Sequence, residues 1–157
     1  LTVAITLFVY GVLFIIIEKT KKPASIKNLN DLDYLTALKI GAFQMLALIP
    51  GTSRSGSTIL GASIVGCSRR VASEFSFFLA IPMMFGASLL KLIKLKMSLD
   101  FAGIAILLTG MVVAFVVSVV AIKSLLKYIK KHDFTAFGIY RIVLAVIIAV
   151  CLLFEII

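Results

Sequence analysis

The sequence predicts an all-α integral membrane protein, a transmembrane helical bundle interrupted by one re-entrant helical hairpin. Three observations carry that expectation. Hydrophobic residues make up 62% of the 157 and charged ones only 15%, with a mean hydropathy of +1.18, whereas soluble domains average about a quarter charged. The apolar residues form long runs, and the Lys and Arg gather almost entirely in the loops between them, where membrane proteins place them to set orientation. One pair of runs is too short to span, and a Pro-Gly break with a polar stretch separates its members, the pattern of a helix pair that enters and leaves on one side.

In chain order, residues 1–17 carry no charge and approach the ~20 residues a span needs. No basic residue precedes them and Lys19, Lys21 and Lys22 come after, the reverse of a signal peptide. We read this run as a transmembrane helix entered part-way, and the chain as a fragment. Residues 18–34 form a water-facing loop in which Asp31 or Asp33 is the expected N-cap of the next helix. Residues 35–67 are the hairpin. Its first arm stops at Pro50-Gly51, a polar turn runs to Thr58, and Ser68-Arg69-Arg70 closes the second arm. Small residues Ser57, Gly61, Ala62 and Gly66 prepare that arm for close packing. Spans are expected over 71–90, with a kink at Pro82, over 101–122, and over 137–157, with Arg141 near one end and Glu155 near the other.

The loop charges favour re-entry. If 35–67 returns to its own side, that side collects Lys19, Lys21, Lys22, Lys27, Arg69, Arg70, Lys123, Lys127, Lys130 and Lys131, against Lys91, Lys94 and Lys96 on the other. If the segment crosses, the split is seven to six, without the asymmetry that membrane proteins show. The ten-residue side is then expected to be cytoplasmic. The net charge of +9 is therefore assigned to membrane lipid, and no nucleic-acid module is present. Cys67 and Cys151 lie in apolar segments without CxxC spacing or a partner histidine and read as small core residues.

Arg54 is the foremost candidate. It stands at the hairpin turn, near membrane depth, where an arginine costs at least ~2.5–3.5 kcal/mol unless paired or solvated. Ser53, Ser55, Ser57 and Thr58 surround it with hydroxyls, and the start of the second arm adds unpaired N–H groups at the positive end of a helix. This is the composition of a phosphate site. The competing reading makes Ser53 or Ser55 a plain N-cap and has Arg54 pair with a distant carboxylate. Glu74 lies four residues after Arg70 and is read as its ion-pair partner. The sole histidine, His132, sits between charged loop residues and reads as solvated.

Residues 44–58, Gln-Met-Leu-Ala-Leu-Ile-Pro-Gly-Thr-Ser-Arg-Ser-Gly-Ser-Thr, resemble the signature of the bacitracin-resistance family of undecaprenyl-diphosphate phosphatases. So do Ser68-Arg69-Arg70, the run Phe75-Ser76-Phe77-Phe78-Leu79-Ala80-Ile81-Pro82, and Tyr140-Arg141. The resemblance extends over the whole chain and matches the second of that family's two inverted repeats. It implies an enzyme of the bacterial inner membrane that removes the terminal phosphate of undecaprenyl diphosphate, regenerates the carrier lipid for cell-wall synthesis, and opens its site outward. By that match Arg54, Ser53 and Thr58 would be catalytic, and Ser55, Gly51, Gly56, Ser57 and Gln44 substrate-binding. The family's first repeat carries a glutamate-rich motif with a serine and a histidine. That motif is absent from these residues, so no cofactor is assigned to this half, a divalent cation (Mg or Ca) is expected in the complete enzyme, and an N-terminal repeat is the expected partner. Whether Ser53 or a first-repeat serine is the nucleophile stays open.

The seven carboxylates are scattered without metal-ligand or acid/base spacing, and residues 50–58 lack the spacing and lysine of a P-loop. One histidine is too few for a type-2 phosphatidic acid phosphatase. Two other classes stay in view. A transporter or flippase of an anionic lipid would use the broken helix as its substrate site, and a structural half-domain would need Arg54 for assembly rather than turnover.

Overall fold

The computed structural model describes residues 1–20, 23–94 and 101–154. Six α-helices appear in the order α1 Thr2–Thr20, α2 Tyr34–Gln44, α3 Arg54–Ile64, α4 Arg69–Lys94, α5 Phe101–Lys131 and α6 Thr135–Leu153, with short 3-10 turns at Leu29–Asp31 and Met45–Leu48. Among the described residues the only β pairing is an isolated parallel bridge between Ile26 and Cys67. Helices α1, α4, α5 and α6 are long and apolar enough to cross a membrane. Their outer faces are covered with exposed Ile, Val, Leu and Phe side chains, a surface that suits a hydrocarbon solvent rather than water.

The hairpin of α2 and α3 is shaped by local chemistry. Of the two candidate caps, Asp33 is the one that starts α2, accepting the Thr36 N–H at 3.1 Å; Asp31 instead accepts from the Asn28 N–H at 3.2 Å in the preceding 3-10 turn. Pro50 forces the residue before it out of the helical region, and Ile49 is indeed extended at ψ 125°. Gly51 then takes φ +90°, a conformation few other residues tolerate. Ser53 caps α3, accepting the Gly56 N–H at 3.1 Å. The polar stretch 54–58, expected in the turn, is therefore the first part of α3, because a serine N-cap starts the helix as soon as the glycine turn is complete. At the other end Gly66 adopts φ +102°, and Cys67 N–H donates to Ala62 O while Gly66 N–H donates to Ser63 O. That is the Schellman closure of a helix.

Both ends of the hairpin lie at one end of α1, and its turn lies at the other. Ser25 and Ile26 N–H donate to Gly66 O and Ser68 N–H donates to Ile26 O, just beyond the α1 C-terminus. Midway, the Tyr10 and Ser57 hydroxyls are 3.0 Å apart. At the turn, the Thr6 hydroxyl donates to Pro50 O at 3.1 Å, and a side chain on Gly51 would run into Val3 and Thr6.

Helix α6 packs antiparallel along α1, where Gly11 and Gly138 let the two backbones meet. The described residues form two core clusters. One joins Tyr10, Phe14, Leu60, Ile129 and Phe134; the other joins Ile40, Ala62, Cys67, Val71 and Ala72 at the open end of the hairpin.

Several helices outrun their expected bounds. α1 continues through Glu18, whose carboxylate accepts from Arg69 Nε at 2.7 Å and from the Phe134 N–H at 3.3 Å, tying α1 to α4 and to the start of α6. α5 passes residue 122 because its last turns are amphipathic: Leu125 and Ile129 pack inward while Lys123 and Lys127 stay exposed. α4 runs through Pro82 as one helix. Arg70 pairs with Glu74 at 2.7 Å as expected, and His132 is exposed and stacked on Tyr128. Lys21, Lys22, Lys96 and Glu155 lie outside the described residues.

Candidate functional site

The first two turns of α3 distribute their side chains among three neighbours, and the helical phase decides which goes where. Ser53 holds the Gly56 N–H and lies 3.1 Å from the Ser55 hydroxyl. Ser57, one residue past Gly56, turns to α1 and meets Tyr10. Thr58 turns to α4, where its hydroxyl lies 2.6 Å from that of Ser76 and bonds back to Arg54 O and Ser55 O. Gly51 serves the turn against α1. Gln44 donates to the Met83 sulfur at 3.0 Å, while its Oε1 is buried without a hydrogen-bond partner.

Arg54 opens α3. Its Nη1 is buried and has no hydrogen-bond partner, and among the described residues its guanidinium pairs with no carboxylate; the two ion pairs found there are Glu18–Arg69 and Arg70–Glu74. A guanidinium in this state at a helix N-terminus adds a full positive charge to the partial charge of the backbone N–H groups.

Beside it, Ser55 and Gly56 form part of the wall of a cavity of about 120 Å³ between α3, α4, α5, α6 and α1. Ser73 and Ser76 of α4 and Arg141 of α6 supply the rest of its polar lining, and Phe14, Phe77 and Ile129 part of its apolar lining. Arg141 lies over the Phe14 ring, 5.5 Å from its centroid, a favourable cation–π placement. Its Nη2 is 3.1 Å from the point where a Cβ on Gly56 would stand, so the guanidinium lies close against α3 and a side chain there would press on it. Arg141 Nη1 and the Ser73 hydroxyl are both buried without hydrogen-bond partners.

Of the residues singled out from sequence, Ser55 and Gly56 line this cavity, and Thr58 reaches it through Ser76. Arg54, Ser53, Gly51, Ser57 and Gln44 are not among its lining residues. Ser73 and the inward role of Arg141 were missed. A lone cation in the otherwise uncharged Thr135–Leu153 helix was the available signal for Arg141; Ser73 had none, because only the docking of α4 on α3 gives it a place.

No three His, Cys, Asp or Glu side chains come together among the described residues, and Glu18 and Glu74 are already engaged by arginines. The donors at the site are cations and hydroxyls, which do not fit a divalent metal, so no step is routed through one.

Fold and site define a multi-pass helical membrane protein whose hairpin presents an unneutralised arginine and a serine-rich helix start, an anion-handling arrangement. The chain belongs to the family described as bacitracin resistance protein BacA, whose profile matches residues 1–147. It is 63% identical over 151 residues to an undecaprenyl-diphosphatase of Acetivibrio thermocellus, covering 94% of this chain and 55% of that protein. An undecaprenyl-diphosphatase of Enterococcus faecalis is 60% identical over 153 residues, at 94% and 55% coverage. One of Lactococcus lactis subsp. lactis is 54% identical, at 98% and 56%. The chain thus spans about half the length of the curated relatives it matches.

Proposed function

We propose that this chain supplies the phosphate-handling half of an undecaprenyl-diphosphate phosphatase, an enzyme that hydrolyses undecaprenyl diphosphate to undecaprenyl phosphate and inorganic phosphate and so returns the carrier lipid to cell-wall synthesis. The observation that carries this reading is Arg54: a buried guanidinium nitrogen without a partner, at the N-terminus of a Ser53-capped helix, inside a bundle of four helices long and apolar enough to span a membrane. Such a charge is unfavourable to bury unless an anion meets it. The names of the relatives supply the substrate.

In this proposal the diphosphate headgroup comes to the start of α3, where Arg54 and the helix terminus balance charge that moves onto the phosphoryl oxygens during transfer. Ser53 and Ser55 offer hydroxyls beside it, and Thr58 holds the helix to α4 through Ser76. The polyprenyl tail runs along the apolar outer faces of the helices. An N-terminal repeat of the same protein would contribute the groups that activate the attacking nucleophile, and a divalent cation would belong to that complete enzyme. The protein sits in the bacterial inner membrane with the site opening to the outer face.

The test is release of inorganic phosphate from undecaprenyl diphosphate by the intact protein in detergent. Hydrolysis with a measurable turnover is expected. A protein that binds the lipid diphosphate, moves it between leaflets and releases no phosphate would replace the enzyme reading with transport.

A further inference from the structure

We propose that the cavity behind the start of α3 is a second phosphate site, distinct from Arg54, in which Arg141 and Ser73 bind one phosphoryl group. Three features of the cavity point to that ligand. Its polar lining offers a guanidinium and three hydroxyls and no carboxylate, so it selects an anion. Two of the donors are uncommitted: Arg141 Nη1 and the Ser73 hydroxyl are buried without hydrogen-bond partners, and Ser73 is 1% exposed. Leaving such groups unmet is unfavourable, more so for a charge, and a bound oxyanion meets both together. Of the remaining hydroxyls, Ser55 pairs with Ser53, and Ser76 gives its proton to Thr58, whose own goes back to Arg54 O and Ser55 O, so Ser76 fixes the wall rather than the ligand.

Geometry and size narrow the class further. The donors come from three helices, α3, α4 and α6, so they surround a ligand rather than grip one edge of it. A tetrahedral oxyanion presents acceptors in all those directions, whereas a planar carboxylate does not. The cavity, of about 120 Å³, has room for one phosphate group. The walls of Phe14, Phe77 and Ile129 keep the surroundings apolar, which strengthens charge-assisted hydrogen bonds within. Arg54 is not part of this lining, so the first turn of α3 is flanked by two separate cationic positions.

The phosphoryl group comes either from the lipid headgroup or from free phosphate after release, and only this choice of source rests on the phosphatase reading above. Equilibrium binding of radiolabelled inorganic phosphate to the intact protein in detergent tests the site without requiring turnover. Wild type is expected to bind saturably. Ser73→Ala is expected to weaken binding roughly fivefold and Arg141→Gln at least ~tenfold, in line with one neutral and one charged hydrogen bond lost. Ser73→Ala should unfold no earlier than wild type, because its hydroxyl has no partner to lose; if Arg141→Gln does not fold, Ser73→Ala decides alone.

Absence of saturable binding in wild type, or wild-type phosphate affinity in folded Ser73→Ala, overturns the proposal. In turnover assays, KM for the lipid diphosphate rising in step with the phosphate inhibition constant assigns the cavity to the lipid's own phosphoryl group. A raised inhibition constant at unchanged KM assigns it to released phosphate. If wild type binds phosphate through Ser73 and Arg141 yet hydrolyses nothing, the phosphatase reading fails and this site stands.

Discussion

Replacing Gly138 by alanine in the intact protein should destabilise it, although glycine-to-alanine changes within helices ordinarily do the opposite. An alanine Cβ at Gly138 would lie 2.8 Å from the Gly11 carbonyl oxygen and 2.8 Å from Ile15 Cγ1, where ordinary contact begins at 3.4 Å. Helices α1 and α6 would have to part by about 0.6 Å, the difference of those two distances, along the seam that aligns Phe14 with Arg141. Overpacking of this kind costs ~1–3 kcal/mol, against a gain of ~1 kcal/mol in helix propensity, for a net loss of about 1 kcal/mol. Gly110 in α5 is the matched control, since a Cβ there meets nothing within 4 Å and only the propensity gain remains. The assay is the unfolding midpoint of both variants in detergent under a denaturant titration. Equal shifts, or a more stable Gly138→Ala, would rule out the close α1–α6 crossing.

Three further outcomes rest on particular contacts. Ser53→Ala removes the cap of α3 and should lower unfolding free energy by about 1 kcal/mol, read from the same titration. Glu18→Gln removes the anion that Arg69 and the Phe134 N–H share; because the Arg69 side chain is 40% exposed and water screens it, the expected loss is about 2 kcal/mol rather than the larger figure for a wholly buried pair. Hydrogen bonding from the Thr36 side chain, and next from its backbone N–H, holds the Asp33 carboxyl below its ordinary value of 3.8. A lowered carboxyl stabilises the fold above its unfolded value and loses that contribution as pH falls through its folded one. The Thr36 amide NMR signal should therefore titrate below pH 3.8 and become flat in Asp33→Asn; a midpoint above 3.8 would count against the cap.

Much of the architecture is legible in the sequence because bilayer physics leaves few options. Pro50-Gly51 after the largely apolar run 35–49, and Ser68-Arg69-Arg70 soon after, mark the turn and the far end of a hairpin whose arms are too short to span. Arg54 stands out because cations near membrane depth are rare. The features that stayed hidden depend on helical phase and docking. Ser55 and Ser57 are two residues apart in one hydroxyl-rich run, yet one lines the cavity and the other bonds Tyr10. Lys123 and Lys127 lower the hydropathy of α5 and suggest its end, but they share one face, and the opposite face carries the helix on to Lys131. Glu18 reads as the first residue of a polar loop, and its partners Arg69 and Phe134 are more than fifty residues away in the chain.

If Arg54 neutralises a diphosphate during hydrolysis, the decisive experiment is phosphate release from undecaprenyl diphosphate by the intact protein carrying Arg54→Ala, with the unfolding midpoint measured alongside. Turnover is expected to fall by at least ~100-fold, as when one preorganised electrostatic group at a transition state is removed, in a protein that stays folded. Near-wild-type turnover in folded Arg54→Ala would instead make the arginine a structural element of the hairpin and remove the phosphate-handling role from the start of α3.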